Sequence, residues 1–195
     1  MEWQQILGLG AVTAVVTAFL NLLSTRHFAN RQQKQSADFD ALRLAAVLER
    51  FAYECASLIA DEETWRDSRG SAGREFFALP SLTLPEDVAW KSLDIELVDR
   101  LFTLNNDLFR SGAIITGERE HIFEPDAKPI EPSAQAGLLG YHAHILALAL
   151  RQCYQPIRRP HAIHPWDHVA ILKSKHDAKI DEYRRYNEDW PSTEQ

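Results

Sequence analysis

The sequence has few cysteines, no excess of basic residues and none of the short motifs that mark the common catalytic sites. It contains two cysteines and a net charge of −7 over 195 residues. A glycine-rich phosphate loop, the HExxH zinc helix and the GxSxG elbow of serine hydrolases are all absent. The acidic balance argues against nucleic acid as a partner. We therefore expect no nucleic-acid binding and no cofactor, and the pattern identifies no catalytic residue and does not favour an enzyme.

The chain does contain one long uncharged run. The eighteen residues from Ile6 to Leu23 include no charge, and Arg26, Arg31 and Lys34 follow at once. As a helix this run is roughly 27 Å long, close to the ~30 Å of the hydrocarbon core of a bilayer. The sequence therefore predicts a transmembrane anchor over residues 1–23, with the lipid bilayer as a partner.

The cations after the run predict the orientation of this anchor. They favour an N-terminus outside and a cytoplasmic C-terminal domain at the inner membrane of a cell, because positive residues concentrate on the cytoplasmic side. A cleaved signal peptide is the alternative. Its basic leading region is missing from the first five residues, and no small-x-small cleavage site follows the run, since Ala29 has His27 two residues before it.

One face of the predicted anchor is rich in small and polar residues. Such a face lets a second helix approach closely, and its hydroxyl and amide groups can form hydrogen bonds across the contact. We interpret it as a packing face for a homo-oligomer or for another membrane protein, while chance clustering of common membrane residues is the alternative. The face consists of Gly10, Thr13, Ala14, Thr17, Ala18 and Asn21.

The remainder of the chain predicts an all-α fold of three to four helices with long ordered loops. Residues 24–35 read as a polar juxtamembrane stalk, residues 36–190 as one helical domain and residues 191–195 as a disordered tail. A strong three-and-four spacing of apolar residues predicts a buried helix over 36–69, closed by Gly70 in a left-handed conformation. The polar stripe of this helix includes Asp40. Ion pairs are predicted between Arg50 and Glu54 and between Glu62 and Arg66, which are four residues apart.

Three further helices are expected after Gly70. A capping-box pattern from Thr83 to Glu86 predicts the second helix over 83–111, with Phe102 and Phe109 backing its core stripe. The segment 112–132 reads as a loop, in which residues 114–116 and 121–123 could pair as a small hairpin. The third helix is predicted over 133–154 and the fourth over 165–188. Two loops of roughly twenty residues separate these helices, and loops of that length are often functional.

Histidines near the start of the fourth helix form the densest cluster of metal-type ligands. The spacing of His161, His164 and His168 suits a zinc-like ion held by neutral imidazoles. The alternative is that two prolines stiffen a turn whose histidines cap the helix or face water.

The two cysteines, Cys55 and Cys153, both lie in apolar helical patterns and are predicted to be buried, reduced thiols. If the domain were periplasmic, a bridge between them would be plausible.

Several short segments give the chain a resemblance. They are Phe51-Ala52, Cys55-Ala56, Ile59-Ala60-Asp61, Trp90-Lys91-Ser92-Leu93-Asp94, Gly137, Gly140 and Leu150-Arg151. On these segments the chain resembles, over roughly residues 45 to 165, a group of short bacterial membrane-anchored proteins with no assigned activity. The resemblance implies a bacterial inner-membrane location and one helical domain, and it implies no catalytic residues.

Two functions from different classes agree with this pattern. The first is a non-enzymatic interaction or accessory module held at the membrane. The second is a membrane-anchored enzyme, or a small-ligand or metal sensor, whose pocket lies under the two long loops and is lined by residues 161–168. A filled core with an exposed apolar patch would favour the first, whereas a deep polar cavity would favour the second.

Overall fold

The fold is all-α in a computed structural model that describes residues 3–74, 78–120, 132–154 and 166–189. Within them, side chains are described for residues 31–74, 78–117, 132–154 and 166–185. This part of the chain contains no strand, so the all-α part of the predicted fold class is confirmed. Its elements are α1 (Trp3–Asp67), a short 3₁₀ turn (Trp90–Ser92), α2 (Ile95–Glu120), α3 (Pro132–Tyr154) and α4 (His168–Asp189).

Helix α1 is continuous over 65 residues, which makes it about 98 Å long. The predicted stalk is therefore part of the same helix as the domain. Residues 31–36 are exposed, and burial begins at Ala37. No helix within the described residues has the length and apolar character needed to cross a membrane. The side chains of Ile6 to Leu23 lie outside the described residues, so the anchor and its packing face stay predictions.

The C-terminal half of α1 is the core helix of the domain. Leu44, Leu48, Phe51, Cys55 and Ile59 recur every three or four residues and are almost completely buried, as the apolar stripe of such a helix requires.

The helix ends at Asp67, two residues before the predicted end. The chain then takes two successive left-handed residues, Arg69 (φ 57°) and the predicted Gly70 (φ 84°). The Gly70 amide donates to the carbonyl of Trp65 at 2.7 Å and closes the last turn.

Helix α3 is the central element and packs against α1, α2 and α4. Its bounds differ from the predicted 133–154 by one residue, and α4 likewise agrees with its prediction within three residues at the start. The close approach of these helices depends on Gly140. A Cβ on this residue would lie 2.8 Å from Cβ of Cys55 and 2.7 Å from a methyl group of Leu172.

The predicted start and end of the second helix are wrong. Residues 83–89 form no helix, and α2 begins at Ile95. Its N-cap is Asp94, whose carboxylate accepts hydrogen bonds from the amides of Glu96 at 2.9 Å and Leu97 at 3.3 Å. The helix also passes through Gly112 and ends at Glu120, since one glycine costs only about 1 kcal/mol in a helix interior.

Residues 114–116 therefore lie inside α2, and the predicted hairpin is wrong. The rest of the predicted second loop, residues 121–131, lies outside the described part of the chain. The predicted disordered tail, 191–195, also lies outside it.

The loop before α2 packs on the domain through the half-buried Leu79, Leu82 and Leu84. It is held to α1 by polar contacts. The carboxylate of Asp40, a residue of the predicted polar stripe, is buried and accepts a hydrogen bond from the Ala89 amide at 2.9 Å. Beside it, the Arg43 guanidinium binds both carboxylate oxygens of Asp87, at 3.1 and 2.8 Å.

Candidate functional site

Three large apolar side chains are exposed along one side of α2. Ile95, Phe102 and Phe109 have exposed fractions of 80%, 44% and 77%. Their spacing of seven residues brings them onto one edge of the helix, which we call the α2 flank. The ring of Phe102 packs against that of Trp90, with centroids 5.2 Å apart. The prediction that Phe102 and Phe109 back the core is wrong, because α3 covers the opposite side of α2.

An open groove of about 710 Å³ lies between the C-terminal half of α2, at the end of this flank, and the preceding loop. Most of its lining is apolar, and its polar groups are amides and hydroxyls. No ionisable side chain is among the described residues that line it. The lining side chains include Leu79, Pro80, Leu82, Asn105, Leu108, Phe109, Ala113 and Thr116.

The surface near the start of the α2 flank is acidic. Between residues 86 and 100 the chain has five acidic and two basic residues. Three of the acidic side chains, Asp94, Glu96 and Asp99, are exposed. An apolar partner with basic residues therefore suits this end of the flank.

His168, one of the predicted metal ligands, lies in an aromatic cluster between α1, α3 and α4. Its ring centroid is 5.7 Å from that of Tyr53, 5.9 Å from Trp166 and 6.4 Å from His144. The other two predicted ligands, His161 and His164, lie outside the described residues. Within the part that the structure describes, no three His, Cys, Asp or Glu side chains are grouped to hold a metal ion. The metal site stays a prediction.

A second histidine pair joins α3 to α4. The rings of His142 and His176 have centroids 5.3 Å apart, and the Tyr141 ring is 4.8 Å from that of His176. On the other side, Nδ1 of His176 lies 3.0 Å from the Asp177 carboxylate. Burial lowers the pKa of His142, and the neighbouring His176 lowers it further. The sequence did not predict this pair. The spacing of residues along one helix does not indicate which side chains of another helix they face.

The two cysteines differ in environment. Cys55 is completely buried, and burial raises the pKa of its thiol, whereas Cys153 is exposed. The prediction of burial is therefore wrong for Cys153. A bridge between them is also excluded in this fold. Cys55 lies against Gly140, and Cys153 follows thirteen residues later on α3, about 20 Å along the axis, whereas a disulfide needs Cα atoms within about 7 Å.

The resemblance to short bacterial membrane-anchored proteins stays a prediction, and so does the location that it implies. The features that bear on function are therefore the α2 flank, its groove and the uncharged run of the sequence. No family model, no curated protein and no solved structure matches this chain.

Proposed function

We propose that the chain is a single-pass inner-membrane protein whose helical domain is a non-enzymatic interaction module at the cytoplasmic face. The observation behind this proposal is the α2 flank, with its three large apolar side chains open to solvent. Large apolar side chains exposed along one edge of a helix form the kind of surface that binds other proteins. The absence of ionisable side chains from the described groove lining supports binding over catalysis.

The partner that fits best is an amphipathic helix of another protein. Ile95 and Phe109 are fourteen residues apart, about 21 Å along α2, which equals four turns of a bound helix. A helix in a groove uses apolar residues at positions i, i+3, i+4 and i+7. The acidic side chains around Ile95 favour basic residues at the end of the partner helix that lies there.

The anchor belongs to the same proposal. Its support is the uncharged run from Ile6 to Leu23 and the cations that follow. Because α1 is one continuous helix, the domain, which begins at Ala37, starts about 21 Å beyond Leu23 along the helix axis. A partner bound at the α2 flank would therefore be held close to the bilayer.

Site-specific photocrosslinking in the native cells tests the binding site. A photoreactive phenylalanine analogue at Phe109 should crosslink to another protein. Mass spectrometry of the crosslinked peptide should identify a segment with apolar residues at helical spacing and a net positive charge. The matched control is the same analogue at Phe39, which is also exposed, at 60%, but lies on α1. Phe39 should not crosslink to that segment.

Three outcomes of this experiment would contradict the binding proposal. They are crosslinking to lipid alone, crosslinking only to a second copy of this chain, and equal crosslinking of one segment from Phe109 and Phe39. A Phe109→Ser variant provides an independent check, because its exposed position leaves folding intact. It should weaken recovery of the crosslinked partner from a second site on the flank, Ile95, by about tenfold, the equivalent of 1.4 kcal/mol.

Membrane extraction tests the anchor separately. The full chain should remain in the membrane pellet after alkaline carbonate treatment, and a variant without residues 3–23 should be released. A C-terminal alkaline phosphatase fusion should be inactive, because the enzyme would stay in the cytoplasm. Release of the full chain would disprove the anchor, and an active fusion would reverse the orientation.

A further inference from the structure

Two buried polar atoms have no hydrogen-bond partner within the described part of the chain. They are Oε2 of Glu62, on α1, and Oγ of Ser133, in the first turn of α3. Glu62 is 8% exposed and Ser133 only 1%. Leaving a buried polar atom without a partner is unfavourable. Native proteins usually supply the missing partner, often as an ordered water molecule.

Helices α1 and α3 run antiparallel, and two contacts fix how residues of one helix align with those of the other. The Arg151 guanidinium binds Glu49 at 2.5 Å. Gly140, earlier on α3, lies against Cys55, later on α1. Residues further along α1 therefore face residues still earlier on α3.

This alignment brings the two unpartnered atoms to the same level of the bundle. Glu62 follows Cys55 by seven residues, and Ser133 precedes its partner Gly140 by seven. Each is therefore displaced by about 10.5 Å towards the same end of the domain. Because seven residues are close to two whole turns, both side chains keep the orientation of the contact below them. The Glu62 carboxylate and the Ser133 hydroxyl thus face each other across the interface.

A lysine of α4 confirms that the helices are close together at this level. Gly137 lies one turn after Ser133, and a Cβ on Gly137 would overlap that of Lys175. At its other end, the Lys175 ammonium group binds Glu63, the neighbour of Glu62, at 2.9 Å. The Lys175 side chain therefore spans from α3 to α1 beside the two unpartnered atoms.

The charges around these atoms favour a neutral ligand. A cation is opposed by the positive end of the α3 dipole and by Arg66, which binds Oε1 of Glu62 at 2.6 Å. An anion is opposed by the Glu62 carboxylate. A neutral molecule with two donors and one acceptor avoids both penalties. Its acceptor can bind an amide in the first turn of α3, because these amides have no carbonyl partner within the helix.

We propose that Glu62 and Ser133 bind one buried water molecule, which joins α1 to the start of α3. Water matches the three kinds of group at this position. It donates to Oε2 of Glu62 and to Oγ of Ser133, and it accepts from an amide of the first turn of α3. Buried waters typically make about three such hydrogen bonds.

The direction of the effect of Ser133→Ala tests this site. Alanine removes a hydrogen bond to the bound water, so the equilibrium constant for unfolding should rise about threefold. A hydroxyl without any bound partner gives the opposite result, because alanine then removes a buried unsatisfied group and the constant falls. Urea unfolding of the detergent-solubilised full chain measures the constant.

A double-mutant cycle shows whether the effect depends on Glu62. Glu62→Met replaces the carboxylate with an apolar side chain of similar length. In that background Ser133→Ala should raise the unfolding constant by less than about 1.5-fold, because the water has lost one of its partners. Ser111→Ala is the matched control. Its hydroxyl lies at the same end of the bundle but donates to Gln135 at 3.3 Å, so its effect should be equal in both backgrounds.

A high-resolution crystal structure of the wild-type full chain gives a direct readout that does not depend on whether the variants fold. It should show one ordered water within about 3.2 Å of Oε2 of Glu62 and Oγ of Ser133. A direct hydrogen bond between these atoms, a metal ion in the place of the water, or no ordered water there would overturn the proposal.

The unfolding data can overturn it as well. A fall or no change in the unfolding constant on Ser133→Ala, an equal rise in both backgrounds, or an effect of Ser111→Ala that depends on Glu62 would each contradict a water shared by Glu62 and Ser133.

Discussion

Gly140 of α3 and Cys55 of α1 lie so close that a Cβ on residue 140 would stand 2.8 Å from the Cβ of Cys55. Real Cβ atoms do not approach this closely, so the two helices can pack at this distance only if residue 140 has no side chain. The contact sets how closely α3 packs on α1, and Leu172 of α4 completes it from the other side.

Gly140→Ala should destabilise the protein. The Leu172 methyl group can rotate away, but Cβ of Cys55 is attached to the backbone, so the helices must separate. We expect the free energy of unfolding to fall by about 1–2 kcal/mol, since overpacking costs more than the gain in helix propensity. Urea unfolding of the detergent-solubilised full chain, followed by circular dichroism, measures the change.

Gly112→Ala is the matched control. Gly112 is also inside a helix, but nothing lies within 4 Å of its would-be Cβ. Alanine there should increase the free energy of unfolding by about 0.5–1 kcal/mol. If both substitutions changed the free energy of unfolding in the same direction, the proposed role of close packing at Gly140 would be contradicted.

Asp40→Ala should loosen the loop before α2. The buried carboxylate of Asp40 accepts a hydrogen bond from the Ala89 amide, and its removal breaks the bond that ties the loop to α1. The expected cost is about 0.5–1.5 kcal/mol, measured by the same urea titration. Asp99→Ala removes an exposed carboxylate of α2 and should stay within about 0.5 kcal/mol of the wild type. Equal effects would show that charge, not the hydrogen bond, is responsible.

Two substitutions compare the observed N-cap of α2, Asp94, with the predicted one, Thr83. Asp94→Ala removes the carboxylate that binds the amides of Glu96 and Leu97 and should cost about 1 kcal/mol. Thr83→Ala, in the segment where the sequence predicted the cap, should change stability by less than about 0.5 kcal/mol, because no helix begins there. A larger effect at Thr83 than at Asp94 would place the functional cap upstream.

The two thiols should react differently in the native protein. With Ellman's reagent at pH 8, Cys153 should be modified rapidly and Cys55 only after denaturation, because Cys153 is exposed and Cys55 is buried. Since burial raises the pKa of the Cys55 thiol, the folded chain keeps a proton that the unfolded chain loses. Stability should therefore fall as pH rises above about 8.5, and Cys55→Ala should remove that part of the loss. Rapid native modification of both thiols would contradict this.

Local periodicity was sufficient for much of the fold. The apolar spacing along α1 and the uninterrupted apolar pattern of α3 predicted both helices, and the i, i+4 pairs Arg50–Glu54 and Glu62–Arg66 form at 2.9 and 2.6 Å. These features depend only on residues one turn apart. The start of α2 was not predictable in the same way, because Thr83 and Asp94 are both good capping residues and only packing selects between them.

The candidate sites could be predicted from the sequence much less well than the helices, because they depend on tertiary structure. The spacing of Ile95, Phe102 and Phe109 predicts one side of a helix, but whether another element covers that side depends on where α3 and the preceding loop pack. Likewise, nothing in the positions of His142 and His176 indicates that they face each other. The predicted metal ligands His161, His164 and His168, in contrast, stand out in the sequence because they are close along the chain.

The sequence by itself determined that this protein is helical, that its core lies on α1 and α3, and that it contains one long uncharged run followed by cations. These properties are local, since composition and helical period decide them. Only the tertiary structure decided that Phe102 and Phe109 are exposed, that Cys55 is buried while Cys153 is not, and that His142 meets His176. Such contacts join residues far apart in the chain, and they depend on how closely the helices approach, which at Gly140 a single missing Cβ makes possible.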